Sequence, residues 1–102
     1  MSIIGTFVKS DTGFTGTIKT VSLNFKARLV ETEGGSENAP DYRVYSGAAE
    51  VGAGWKRTAE NSRAYISIKL DDPSFPHPIY ASLFEGEDPD TFNLLWSRPR
   101  SH

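Results

Sequence analysis

Residues 13–30, GFTGTIKTVSLNFKARLV, decide the fold. Leu23, Phe25, Ala27 and Leu29 alternate with Ser22, Asn24, Lys26 and Arg28. Successive side chains of an extended strand point to opposite faces, so this period of two sets an apolar row against a core and a basic row toward water. A helix would need its apolar residues three and four apart. The segment just before it, Phe14 to Thr20, is rich in Thr, Ile and Phe, the residue types that suit a pleated surface.

Working outward, the same kind of short run recurs about every ten residues, separated by Gly, Asp, Asn and Pro. Strands are predicted at Ile3 to Lys9, Phe14 to Thr20, Leu23 to Val30, Tyr42 to Ser46, Ala49 to Thr58, Ala64 to Leu70, Ile79 to Glu85 and Thr91 to Ser97. No segment has a helical period. The fold class is therefore all-β: a single small antiparallel barrel or two-layer sandwich of about eight short strands, closed to hide its sheet edges. Ser10-Asp11-Thr12-Gly13 reads as a hairpin turn joining the first two strands. Residues 47–54, GAAEVGAG, carry three Gly and read as a curved or bulged strand. Asp71 to Pro78 places three Pro in six residues, which predicts a stiff, extended crossover between strands that are not hairpin neighbours.

The chain has 102 residues, enough for one hydrophobic core, so residues 1–102 are expected to form a single domain. Glu31 to Pro40, ETEGGSENAP, lacks large apolar residues and predicts a mobile acidic surface loop at about 31–40; a short tail is expected at about 98–102. With 37 % hydrophobic and 12 % aromatic residues the composition is globular, and no apolar run reaches the ~20 residues of a spanning helix. The first residues show no charged-then-apolar leader, so a cytoplasmic protein without membrane association is expected. Cysteine is absent, which removes disulfides, thiolate chemistry and nearly all structural zinc sites.

The formal net charge of −2 conceals segregation. Residues 14–30 contain Lys19, Lys26 and Arg28 and no acid; residues 31–42 contain only acids; residues 43–69 are basic again; residues 70–90 hold six acids and no base. A local basic field can steer a polyanion even when the total is negative.

Alternation in Ala64 to Leu70 sends Ala64, Ile66, Ile68 and Leu70 inward and Tyr65, Ser67 and Lys69 outward. The preceding strand ends Trp55-Lys56-Arg57-Thr58 and the next begins after Arg63, so the two form a hairpin with cations near its tip. Trp55 shares parity with Val51 and Ala53, and Trp96 with Phe92 and Leu94, which assigns both rings to the core. An exposed ring among cations is what single-stranded nucleic acid needs: bases stack on the ring while cations follow the phosphates. The candidate nucleic-acid-binding residues are Lys56, Arg57, Arg63, Tyr65 and Lys69, with Lys26 and Arg28 of the third strand. The bland reading, that these charges only solvate outer faces, stays open beside it.

Catalytic patterns are nearly absent. His77 lies between two prolines and His102 is the last residue, so no Cys–His pair, serine triad or HExxH helix assembles. Asp71-Asp72 before Pro73 is a turn opener more than a cation or acid–base pair. No phosphate-cradling glycine motif occurs. The expectation is a non-enzymatic binding module without metal or cofactor.

A resemblance adds to this. Residues 4–7 (IGTF), 14–18 (FTGTI), Leu23-Asn24, 39–44 (APDYRV), 52–56 (GAGWK), 65–75 (YISIKLDDPSF), 78–83 (PIYASL) and 95–99 (LWSRP) run through nearly the whole chain. At these residues the chain resembles the bacterial family called domain of unknown function 736. It departs at Ser62-Arg63, where a Gly-bearing turn is more usual, and at Gly54, where Ala is common. The resemblance implies a small alphaproteobacterial domain, often in plasmid or mobile-element settings, with no family-defined catalytic residue. That setting favours DNA-associated work by association alone. The leading expectation is binding of single-stranded DNA or RNA. The rival is a protein-interaction or counter-defence module using acidic loops or a sheet edge; a homo-oligomer stays open under both.

Overall fold

A computed structural model describes residues 2–21, 23–32, 39–88 and 90–96. It is all-β. Among the described residues there are eight strands: β1 (Ser2–Ser10), β2 (Gly13–Lys19), β3 (Asn24–Glu31), β4 (Tyr42–Ser46), β5 (Ala49–Thr58), β6 (Ala64–Leu70), β7 (Ile79–Glu85) and β8 (Thr91–Trp96). Each pairs antiparallel with the next, and β8 returns to pair with β1, closing an up-and-down barrel. The choice between barrel and sandwich is thereby settled. Closure gives every strand two hydrogen-bonded neighbours, although Asn24 to Ala27 of β3 have ladder partners only in β2. None of the described helical content is long and apolar enough to cross a membrane.

An eight-stranded barrel has an interior just wide enough for side chains to fill. Here it is filled by Phe7, Ile18, Leu29, Val44, Ile68, Leu70, Leu83 and Leu94, all nearly solvent-free, with no buried polar or charged residue among those described. Large residues face small ones. Phe7 pairs across from Gly16 and its ring crosses that position; a Cβ there would meet the Thr6 carbonyl oxygen at 2.1 Å and the Phe7 ring at 2.7 Å. Gly52 plays the same part against Leu70 and the Lys69 carbonyl. The ends are closed by rings: Phe14 packs edge-on against Phe92 at 4.7 Å and near Tyr42 at 5.8 Å at one end, while Phe25 and Phe75, with Trp96, cover the other.

Two bulges break the alternation. Ile4 is an extra residue in β1 opposite β8, and Val51 is an extra residue in β5 opposite β4, where Val44 pairs with Gly52 but Tyr45 with Glu50. Val51 is turned into the core by the bulge, so the parity of β5 inverts beyond it. The sequence reading foresaw a bulge in residues 47–54 without carrying its consequence to Trp55.

The proline-rich segment differs from expectation. β6 and β7 are direct hairpin neighbours, Ile68 pairing with Ala81, and residues 71–78 fold back between them instead of crossing over. Asp72 organises the turn: its Oδ2 accepts bonds from the Ser74 hydroxyl (2.6 Å) and amide (2.9 Å), and its carbonyl accepts from the Phe75 amide (2.8 Å). The Ser74 hydroxyl, then its amide, hold the Asp72 carboxyl below its ordinary 3.8. The three prolines stiffen a loop that drops Phe75 onto the barrel end. Most of the expected acidic loop (33–38) and the expected tail (98–102) lie outside the described residues; Thr32 and Pro40, at the loop's margins, are tied by a bond from the Thr32 hydroxyl to the Pro40 carbonyl.

Because Gly16 has no room for a methyl group, Gly16→Ala is expected to destabilise the barrel by about 1–3 kcal/mol, the usual cost of overpacking. A lowered denaturant midpoint with an unchanged m-value checks this; an unchanged midpoint would show that Phe7 can move aside.

Candidate nucleic-acid interface

Residues directly opposite each other in a ladder share a face, so the register fixes which side chains meet on the outer wall. Before the Val51 bulge of β5, Glu50 faces outward and pairs with Arg43 of β4. Beyond it the outward positions are Ala53, Trp55 and Arg57, with Tyr65, Ser67 and Lys69 on β6 and Tyr80, Ser82 and Phe84 on β7. Of these nine positions, none is acidic. Arg57 lies opposite Tyr65, Trp55 opposite Ser67, and Lys69 opposite Tyr80.

The rings and cations are in contact. Tyr65 stacks on Phe84 with centroids 4.9 Å apart and planes 16° from parallel. The Arg63 guanidinium lies 5.0 Å from the Phe84 centroid and donates to the Glu85 carbonyl at 2.7 Å. The Lys69 ammonium sits 5.9 Å from the Tyr80 ring. Arg57 donates to the carbonyl of Lys56 at 3.2 Å. Among the described residues no carboxylate lies within ion-pair distance of Arg57, Arg63 or Lys69, whereas Arg43 is held by Glu50 at 3.0 Å. Their charge is therefore not neutralised by contact.

Four of the sequence candidates, Arg57, Arg63, Tyr65 and Lys69, thus come together on one wall. Three do not. Lys26 and Arg28 point outward from β3, two strands from the near edge of the wall, where Arg28 bonds the Gly47 carbonyl and covers Tyr45 at 5.1 Å. Lys56 pairs with Ile66 and so turns toward the interior at the barrel mouth, 5.7 Å from the Tyr42 ring and 3.9 Å from a Glu31 carboxylate oxygen. The assignment of Trp55 to the core is also corrected: the Val51 bulge moves it to the outer wall, where it is half-buried. Trp96 keeps its inward parity and packs partly buried against the core.

Phe84, Tyr80 and Trp55 belong to the wall but escaped the sequence reading. Alternation in IYASLFE places Tyr80 and Phe84 outward, and this much is legible; that they flank Tyr65 and Lys69 depends on the β6–β7 register, which follows from the folded turn.

The hairpin that presents Arg63 is built on one constrained residue. Ala59 and Arg63 close the loop with an amide-to-carbonyl bond of 2.9 Å, the Asn61 side chain accepts from the Arg63 amide, and Ser62 takes φ = 66°. The family model described as "Protein of unknown function (DUF736)" matches residues 3–99. The chain belongs to this family. Comparison with curated proteins and with solved structures gave no match. Membership carries no activity or ligand, so function must be argued from the wall itself. Ser62 places a side chain at a left-handed position that glycine occupies more readily.

Left-handed φ costs a non-glycine residue about 1–2 kcal/mol, and glycine returns part of that as chain entropy. Ser62→Gly is expected to stabilise the fold by about 0.5–1 kcal/mol and to raise the melting temperature by a few degrees; a lower melting temperature would mean that the Ser62 side chain is itself a structural contact.

Proposed function

We propose that the barrel is a non-enzymatic binding module that takes single-stranded nucleic acid on the outer wall of β5, β6 and β7. The observation that carries this is the part of the wall beyond the Val51 bulge, where no outward strand position is acidic and Arg57, Arg63 and Lys69 interleave with Tyr65, Phe84, Tyr80 and Trp55 across three paired strands. Unpaired bases stack on such rings at about 1–3 kcal/mol each, with little dependence on which base is present, while cations track the phosphates. A duplex keeps its base faces stacked internally and offers only phosphate to this surface. The wall therefore favours a single strand over a duplex and shows weak sequence preference. The setting implied by the family resemblance, plasmids and mobile elements, agrees with this reading and adds no mechanism to it.

Arg63 supports the reading most directly. Its guanidinium rests on an aromatic face and a carbonyl, so a phosphate can engage it without displacing a carboxylate. Lys26 and Arg28 stand apart and are not part of the proposed surface.

Fluorescence anisotropy with a labelled single-stranded oligonucleotide at low salt tests the proposal. Arg57→Glu, Arg63→Glu and Lys69→Glu together are expected to lower affinity at least 100-fold with the melting temperature retained, and Lys26→Ala with Arg28→Ala to change it by no more than a few-fold. Three phosphate contacts predict a log–log salt slope near about −2 for a single strand. Equal affinity for duplex and single strand, or indifference to the triple reversal, would refute the wall as the site and leave a protein partner at the acidic loops as the standing alternative.

A further inference from the structure

At the end of the barrel where β5 stops and β6 begins, beside the Tyr42 and Phe92 rings that close it, lies a recess of about 340 Å³ lined by Tyr42, Tyr65, Phe92, Ile66 and Leu83, with Lys56, Arg57 and Thr58 along one side. The volume falls in the range of small-molecule sites, at the low end. Its chemistry is divided. The floor is apolar, since Ile66 and Leu83 are buried core residues, and three of the walls are flat rings. Both cations and the Thr58 hydroxyl come from one strand, β5, so the positive charge is all on one side.

We infer that this recess is a binding site for one nucleobase carrying a phosphate: the ring enters between Tyr42, Tyr65 and Phe92, and the phosphate meets Lys56 and Arg57. The inference goes beyond the wall reading, because a free mononucleotide would fill the recess with no strand on the barrel. Lys56 itself is held at the recess by Asp41, whose Oδ2 accepts its amide at 2.8 Å, while Glu31 stands 3.9 Å from its ammonium. Burial pushes the Tyr42 hydroxyl above its ordinary 10.0, with Lys56 opposing and Glu31 and Asp41 adding.

Glu31 makes the site adjustable. It lies opposite Tyr42 in the β3–β4 ladder and points the same way, toward the mouth. Its contact with Lys56 is long, and both side chains are 59 % exposed, a pair that solvent screens heavily. A phosphate, with more than one negative charge near neutral pH, outcompetes it for the ammonium.

The test is a titration of the intact protein, followed by backbone amide shifts, with adenosine and uridine monophosphates, the matching nucleosides, inorganic phosphate, and oligonucleotides with 5′-phosphate or 5′-hydroxyl ends. Monophosphates are expected to shift the amides of residues 41–42, 56–58 and 92, at least tenfold more tightly than either nucleoside or phosphate alone. Glu31→Gln is expected to tighten monophosphate binding several-fold, a gain that loss of folding cannot imitate, and Lys56→Met to weaken it at least tenfold. Arg63→Glu with Lys69→Glu, both outside the recess, separates the two sites: it should weaken strand binding on the wall at least tenfold and leave the mononucleotide in place. A 5′-phosphate end that binds tenfold tighter than the free monophosphate would identify the ligand as a strand terminus, and equal affinities would identify a free nucleotide. Shifts confined to the outer wall, or no change on Glu31→Gln and Lys56→Met, would overturn the inference.

Discussion

Pairing of β8 with β1 gives every strand two neighbours, and from that closure each side chain has only two destinations, a filled interior or an exposed wall. Among the described residues the interior holds no buried polar or charged residue, and fit is set by size: Phe7 over Gly16 and Leu70 against Gly52 fit because the opposing residue has no side chain. The wall is then whatever the other parity happens to carry. On β5, β6 and β7 that parity is aromatic and basic, and without closure these nine positions would not be held as neighbours on one rigid surface. A rigid surface matters because the ordering of long cationic and aromatic side chains otherwise counts against binding.

Alternation made most of this legible. The eight strands lie where composition and period put them, and Tyr65, Ser67 and Lys69 are outward as their parity requires. What could not be followed was parity across an irregularity. Val51 is an extra residue, and one inserted residue exchanges the faces of everything beyond it, so Trp55 moved out and Lys56 moved in. The glycines of residues 47–54 announced a bulge; nothing in them says which residue is the extra one, because that depends on which carbonyls of β4 find partners. The prolines misled for a related reason. Proline excludes ladder bonding at its own position, which is satisfied equally by a crossover and by a turned loop, and the Asp72–Ser74 bonds decide for the loop.

Charge is organised by the same geometry. Where a cation and a carboxylate fall on neighbouring outward or mouth positions they pair, as Arg43 does with Glu50 and Lys56 with Glu31. Beyond the Val51 bulge on the β5–β6–β7 wall, no carboxylate among the described residues lies within pairing distance of Arg57, Arg63 or Lys69, and these cations lie instead against rings and carbonyls. These partners orient a guanidinium or ammonium without cancelling it, which preserves its field for an incoming anion. The two kinds of cation therefore differ in what a ligand must displace, and only the mouth carries a built-in competitor.

A protein of net charge −2 has no strong long-range attraction for a polyanion, so recognition on the proposed wall must come from short range. Screening shortens the reach of three cations to about 8–10 Å at ordinary ionic strength, and their contribution falls as salt rises. Ring stacking does not depend on counterion release in this way. A surface combining few cations with several rings is thus expected to keep a salt-resistant share of its affinity, in contrast to a strongly basic groove. Arg57 and Tyr65 line the recess as well as the wall. A nucleotide seated in the mouth and a strand lying on the wall would compete for those two side chains unless they belong to one ligand. With that rim in common, occupancy of the two proposed sites would be coupled, and the sign of the coupling would distinguish a strand end entering the mouth from an independent small molecule.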